Sequence, residues 1–300
     1  MDKIRLGLCC MFKEQAIKFK TTTVTHISKM DRSEAIKKLS SLCQENANSL
    51  MEALKFCKNN SIGSFRINSG ILPCKTHKDV GYQIKDLNDW QNIISTYQAC
   101  GKYAIENDIR TCFHPDQFVV LNSPNPTVVQ NSIAEIEYQT EVAAWVNADV
   151  INIHGGGAYG DKKKALNDFG NNFYKLSIEA RKKLTVENDD TVYTPSDLLP
   201  ICDTLGIPLV YDVHHHRVLS DDILIEEATE LAIKTWNREP LFHISSPING
   251  YGWEKEANHH DYINFKDFPS CWKNKKMTVE VEAKAKELAV NKLLSELAQN

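Results

Sequence analysis

The chain has 300 residues, a formal net charge of -4, 42% hydrophobic and 25% charged residues. That size supports a large core, and α/β barrels of this length commonly form one unit, so a single domain over residues 1–300 is expected. The balance excludes a broadly basic nucleic-acid binder; contact with a polyanion must be local. The opening "MDKIRLGLCCMFKEQ" lacks a long apolar core and no later run reaches bilayer-spanning length. A monomeric cytoplasmic protein with no membrane partner is expected, nucleoid-associated if bacterial. Nine scattered cysteines, with only Cys9 and Cys10 close together, indicate neither a disulfide framework nor a CxxC zinc site.

Along the chain, short apolar or β-branched runs alternate with stretches of helical periodicity. The run "IRLGLCC" (4–10) comes first, followed by the helical "SEAIKKLSSLCQENANSLMEALKFCKNN" (33–60). The second run, "SFRINS" (64–69), leads to a loop with His77, and the third, "IRTCFH" (109–114), ends at His114. "VINIHGG" (150–156) ends at His154, in a glycine run Gly155 to Gly157 that suits close backbone approach to a ligand; Lys162, Lys163 and Lys164 follow. "KLTVEND" (183–189) carries Glu187, and "PSDLLPICDTLG" (195–206) reads as a helix bracketed by a proline start and a glycine end. "IPLVYDVHH" (207–215) supplies Asp212 and His215, and "LFHISS" (241–246) supplies His243. A long connection, "NGYGWEKEANHHDYINFKDFP" (249–269), holds His259, and "KMTVEVEA" (276–283) carries Glu282.

Eight such units predict a closed parallel α/β fold, the TIM (β/α)8 barrel, with its active site at the C-terminal ends of the strands. An open doubly wound sheet is the alternative, weakened because no GxGxxG follows the first run. At the C-terminal rim the barrel gathers six histidines (77, 114, 154, 215, 243, 259) and three carboxylates (187, 212, 282). Such a donor set suits two or three divalent cations, manganese or zinc. Of the ten histidines only His26 falls outside these loops and strand ends. Strand alternation leaves His214, His216 and His260 ambiguous.

The ordered motifs "LGLCC", "FRINSGILPCKTH", "HPDQFVVLNSP", "IHGGGAYGDKKKAL", "LTVENDD", "LGIPLVYDVHHH", "FHISSP" and "VEVEAKAKE" cover nearly the whole chain. Together they resemble the UV damage endonucleases, metal-dependent TIM-barrel DNA repair enzymes. The resemblance implies metal ligands at His77, His114, His154, Glu187, Asp212, His215, His243, His259 and Glu282. Among these, Glu187, Asp212 and Glu282 would be the carboxylates that bridge or orient two or three cations, Mn2+ first and Zn2+ or Mg2+ as alternatives. It also implies damaged double-stranded DNA as partner, and hydrolysis 5′ to cyclobutane pyrimidine dimers and 6-4 photoproducts. Gln117 and Phe118 match the family's duplex-wedging positions. Lys162 to Lys164, Arg217 and Lys273 to Lys276 are candidates for the phosphate-binding rim. This chain has Leu8 where the family commonly has an aromatic residue at the lesion, Phe118 where it commonly has tyrosine, and Leu241 where it often has a modified lysine. An abasic-site endonuclease and a xylose isomerase-like sugar isomerase share the barrel and metal chemistry, and a binding module without turnover is the non-enzymatic alternative.

Overall fold

A computed structural model of the protein describes residues 4–299; Met1 to Lys3 and Asn300, the ends of the unit expected from the sequence, lie outside the described residues. Eight strands make one parallel sheet: β1 (Ile4–Cys9), β2 (Ser64–Ile67), β3 (Arg110–Phe113), β4 (Val150–His154), β5 (Leu184–Glu187), β6 (Leu209–Val210), β7 (Leu241–Ile244) and β8 (Met277–Val281). Their order is β6-β5-β4-β3-β2-β1-β8-β7. β6 meets β7 only through an Asp212–His243 bridge and a bond from the His243 N–H to the Tyr211 carbonyl, 3.1 Å. The barrel is therefore nearly closed, and its seam runs through two of the expected ligands.

The helices are α1 (Val24–Ile27), α2 (Arg32–Asn59), α3 (Trp90–Glu106), α4 (Pro126–Val146), α5 (Lys162–Phe173), α6 (Ile178–Lys183), α7 (Pro195–Leu205), α8 (Val213–Val218), α9 (Ile225–Lys234) and α10 (Glu287–Gln299). Several start where a side chain satisfies an orphan N–H group of the first turn: Asp31 accepts from the Glu34 N–H to begin α2, and Thr194 accepts from the Asp197 N–H to begin α7. Gly206 ends α7 in the left-handed conformation, as its position in the sequence predicts. The long helix α2 buries Ile36, Leu39, Cys43, Leu50 and Leu54, the apolar face of its three-and-four periodicity. None of the helices among the described residues is long and apolar enough to cross a membrane.

Strand alternation sorts side chains between the lumen and the helical layer. Gly7 faces the lumen, where an added Cβ would lie 3.2 Å from the Glu280 side chain and from Ser64. Leu8, one residue on, pairs laterally with Phe65 and Val281 and is fully buried in the core under the helices. This corrects its expected place at the lesion: the pleat turns Leu8 away from the mouth. Cys112, Val150, Val210 and Leu241 form a separate apolar layer. The sixth strand is also shorter than predicted. It stops at Val210, because the Asp212 carboxylate accepts from the His215 N–H at 2.8 Å and caps α8.

Candidate metal centre

Glu187, at the end of β5, is the hub of the mouth. It is 1% exposed, and its Oε2 accepts from His114 Nε2 at 2.9 Å and from Asn152 Nδ2 at 2.5 Å, while Oε1 lies 2.9 Å from His243 Nδ1 and 3.5 Å from His215 Nδ1. Around it three overlapping triads bring ligand atoms within 4.8 Å of one another: His114, Glu187 and His243; Glu187, Asp212 and His215; Asp212, His243 and Glu282. His243 Nδ1 also stands 3.5 Å from Glu282 Oε1, and His259 Nδ1 stands 3.9 Å from Glu282 Oε2. The His154 ring centroid lies 5.1 Å from that of His114 and 6.0 Å from that of His215.

The three consecutive histidines separate because they are helical rather than extended. His215 faces the centre, held by the Asn188 carbonyl at 3.0 Å from Nδ1. His214 packs on Tyr251 and His259, and His216 bridges the Tyr211 hydroxyl and Asp221. His260 bonds the Tyr262 backbone at the exposed side.

Burial and crowding set the charges. Burial opposes ionisation of Glu187 and Glu282, yet charge interactions with His243 and His154 for Glu187, and with Arg66 and His243 for Glu282, hold both well below the usual carboxylate range. Burial also opposes protonation of His215 and His243, but the surrounding carboxylates prevail: Asp212, Glu187 and Glu282 raise His215 to about 9, and Glu187 raises His243 to about 10. His154 is pushed down, mainly by burial. The buried atoms without a hydrogen-bond partner include His154 Nδ1 and Asp212 Oδ2. Buried polar atoms of this kind are costly without a ligand or ordered water. Together with the mixed imidazole and carboxylate donors, they fit a divalent-cation centre.

Above the centre opens a cleft of about 620 Å³ lined by His114, His154, Glu187, His215, His259 and Glu282, with Gln117, Phe118 and Tyr159 on its walls. The Asp116 carboxylate accepts from the Phe118 N–H at 3.0 Å, a local turn that lifts Gln117 and Phe118 to the surface. Phe118 is 75% exposed.

Other expected residues lie elsewhere. His77 is not brought to the triads; it lines a neighbouring groove with Phe118, and its Nδ1 accepts from the Asp79 N–H. The glycine run makes its close approach to protein: Asn122 Nδ2 donates to the Gly155 and Gly157 carbonyls at 2.7 and 2.8 Å, and Gly156 sits at φ +84° against the Asn122 side chain. Lys162 pairs with Asp197 and Lys164 with Asp168, so these two charges are partly neutralised at the start of α5, while Lys163 is exposed. Arg217 lies over the Tyr251 ring and donates to the Asp267 carbonyl. The stretch Lys273 to Lys276 needs correction as a phosphate rim. It leads into the N-terminal end of β8, where Lys276 shares a groove with Ile4, Gly63 and Ile109, and Lys275 pairs with Glu230, so the chain direction carries these lysines to the opposite end of the barrel.

Sequence reasoning missed Arg66, Asn152, Glu280 and Cys112, which surround the same centre. The signal was present in "FRI" and "TVEVE": a charged residue mid-strand, and two glutamates two apart that alternation puts on one face.

A parallel barrel that gathers histidines and carboxylates at its C-terminal mouth defines an α/β-barrel protein whose mouth could hold a metal ion. A family model described as UV-endonuclease UvdE matches residues 4–300. The chain belongs to this family of UV endonucleases. The UV DNA damage endonuclease of Bacillus cereus (strain G9842) is 32% identical over 288 residues, covering 93% of this chain and 89% of that protein. The crystal structure of SacUVDE matches with a TM-score of 0.86 at 29% identity over 99% of this chain and 98% of that one. Endonuclease IV from Thermus thermophilus has a TM-score of 0.63 at 12% identity over 98% of each chain, a likeness of fold alone.

Proposed function

We propose that the protein hydrolyses the phosphodiester on the 5′ side of UV photolesions, cyclobutane pyrimidine dimers and 6-4 photoproducts, in duplex DNA, leaving a 3′-hydroxyl. The observation that carries this reading is one cleft with the overlapping triads at its floor and the exposed Gln117 and Phe118 at its lip. His114, His154, Glu187, Asp212, His215, His243, His259 and Glu282 would hold two or three divalent cations, Mn2+ before Zn2+ or Mg2+. Bound there, the cations would supply Lewis acidity toward the phosphate and a water nucleophile at neutral pH.

The chain's own groups do the positioning. Glu187 ties the ends of β3, β4, β5 and β7 through His114, Asn152 and His243, so the donors are set before substrate arrives. His259, at the cleft wall, closes the set from the β7–β8 connection. A photodimer weakens stacking in the duplex, so inserting Gln117 and the Phe118 ring costs less at the lesion than in intact DNA. Leu8 takes no part in this wedge, and the face opposite Phe118 falls to other cleft residues such as Tyr159.

The test is a nicking assay on duplex DNA carrying one defined photodimer, with Mn2+ or with chelator, alongside a His154→Ala/Glu187→Ala double variant. Metal-dependent cleavage 5′ to the dimer, lost in the variant, is expected. Uncut DNA in every lane overturns the reading; cleavage only at an abasic site reassigns the lesion, and damaged-DNA binding without cleavage reassigns the protein to a binding role.

A further inference from the structure

The long connection between β7 and β8 carries an aromatic ring that the mechanism above does not use. Of the chain's five tryptophans, Trp272 is buried and Trp90, Trp145 and Trp236 pack against apolar core residues, whereas Trp253 is 71% exposed. It stands midway along an arm whose ends are closed by the antiparallel Pro247–His259 bridge, and by the Ile248 N–H donating to the Asn258 carbonyl at 2.8 Å. Internal bonds hold the arm in one shape. The Gly250 N–H donates to the Pro247 carbonyl at 3.2 Å, the Asn258 N–H to the Lys255 carbonyl at 2.9 Å, and the Gly252 N–H to the Glu256 carboxylate. Tyr251 is tucked inward, its hydroxyl 2.9 Å from His214 Nδ1 and its ring centroid 5.3 Å from the Arg217 guanidinium. Gly250 and Gly252, at φ +86° and +85°, turn the chain on either side of Tyr251, and the next residue, Trp253, is left in solvent.

The arm is placed to reach substrate. Its returning limb supplies Ala257 and His259 to the cleft wall. Three strands separate β7 from β3 in either direction round the barrel. Because β3 leads into Gln117 and Phe118, the arm and the wedge rise from opposite sides of the mouth, with the donor triads between them. The arm carries Glu254, Lys255 and Glu256, two acids and one base, and so offers phosphate no net attraction. What it offers DNA is the indole face, which stacks on any base whose own stack is broken. We propose that Trp253 is a second DNA-contacting residue, stacking on a base left exposed at the lesion, so that the duplex is held from two sides across the centre.

This inference rests on the proposed function and names a further contact of the same site. Its test is single-turnover nicking of a photodimer duplex in Mn2+ over a range of protein concentration, for wild type, Trp253→Phe and Trp253→Ala. Trp253→Ala should raise the half-saturating concentration about 5- to 100-fold with a saturated rate close to wild type, and Trp253→Phe, which keeps a stacking face, should recover most of the loss. The shift should be the same at low and high salt, because the contact displaces no phosphate counterion. With chelator present, the duplex should quench the indole emission of wild type, and this quenching should be lost in Trp253→Phe. Half-saturation of Trp253→Ala equal to wild type overturns the inference, as does quenching that persists in Trp253→Phe, which needs no Ala variant to fold. Either result beside weakened binding by Phe118→Ala leaves the proposed function standing, whereas a wild type that neither binds nor nicks the duplex overturns that reading and this one together.

Discussion

Metal uptake by this centre should be strongly coupled to proton release. In the metal-free protein, His243 and His215 are held protonated, with values near 10 and 9, by the carboxylates around them. Each must lose a proton to become a ligand. At pH 7.5 the deficits are about 2.5 and 1.5 pH units. The apparent affinity is therefore reduced on the order of 10⁴-fold, or about 5 kcal/mol, relative to the fully deprotonated site. Between pH 7 and 9 it should rise about 100-fold per unit, then flatten as each histidine titrates. Calorimetry in two buffers of different ionisation enthalpy counts the protons directly, and about two should leave as the site fills. Release of fewer than one proton, with affinity flat from pH 7 to 9, would refute the charge assignment.

The same shifts give the metal-free protein a pH signature. The raised histidines stabilise the fold fully below their ordinary value of 6.5, and this contribution disappears as pH rises through 9 and 10. The lowered carboxylates contribute above 4.5 and lose that contribution as pH falls through their folded-state values. Thermal unfolding with chelator should therefore peak between those limits, and saturating Mn2+ should move the peak to higher pH. Phe118→Ala should weaken binding to photodimer DNA by about 1–3 kcal/mol and leave urea stability within about 0.5 kcal/mol; equal affinity for damaged DNA removes Phe118 from the wedge. Gly156→Ala forces a side chain into a left-handed position against Asn122 and should cost about 1–3 kcal/mol in denaturant unfolding. Arg66→Met strands Glu280 and should cost about 3–5 kcal/mol, much of it recovered in Arg66→Met/Glu280→Met; additive losses would contradict the pairing. Lys163→Glu should lower the salt dependence of DNA binding by about one phosphate contact, while Lys276→Glu, at the far end of the barrel, should leave it unchanged.

The barrel was legible because each strand is a compact apolar run between helical periodicities, and the eight runs predict strands where the structure has them. The mouth was legible because parallel topology delivers the end of every strand to one rim, so His114, His154, Glu187, Asp212 and His243 follow from strand order alone. Strand six was overextended because "LVYDVHHH" offers no periodicity to separate strand from helix; the Asp212 cap, a side-chain bond to the third following N–H, settles it locally. Leu8 shows the sensitivity of alternation: one position along a strand separates lumen from outer core. Arg66 and Glu280 escaped because a charged residue inside a strand reads as a blemish in an apolar pattern until its partner, 214 residues away, is placed beside it.

The thin seam between β6 and β7 has a consequence for motion. Seven junctions of the sheet are laced by regular strand pairing, while the eighth depends on Asp212 and His243. Any cation gripped by both residues would act as a clasp across the least-sewn edge of the cylinder. Amide hydrogen exchange along β6 and β7 should then slow on metal loading far more than exchange along β1 and β8, so that filling the reactive centre also shuts the wall of the vessel that contains it.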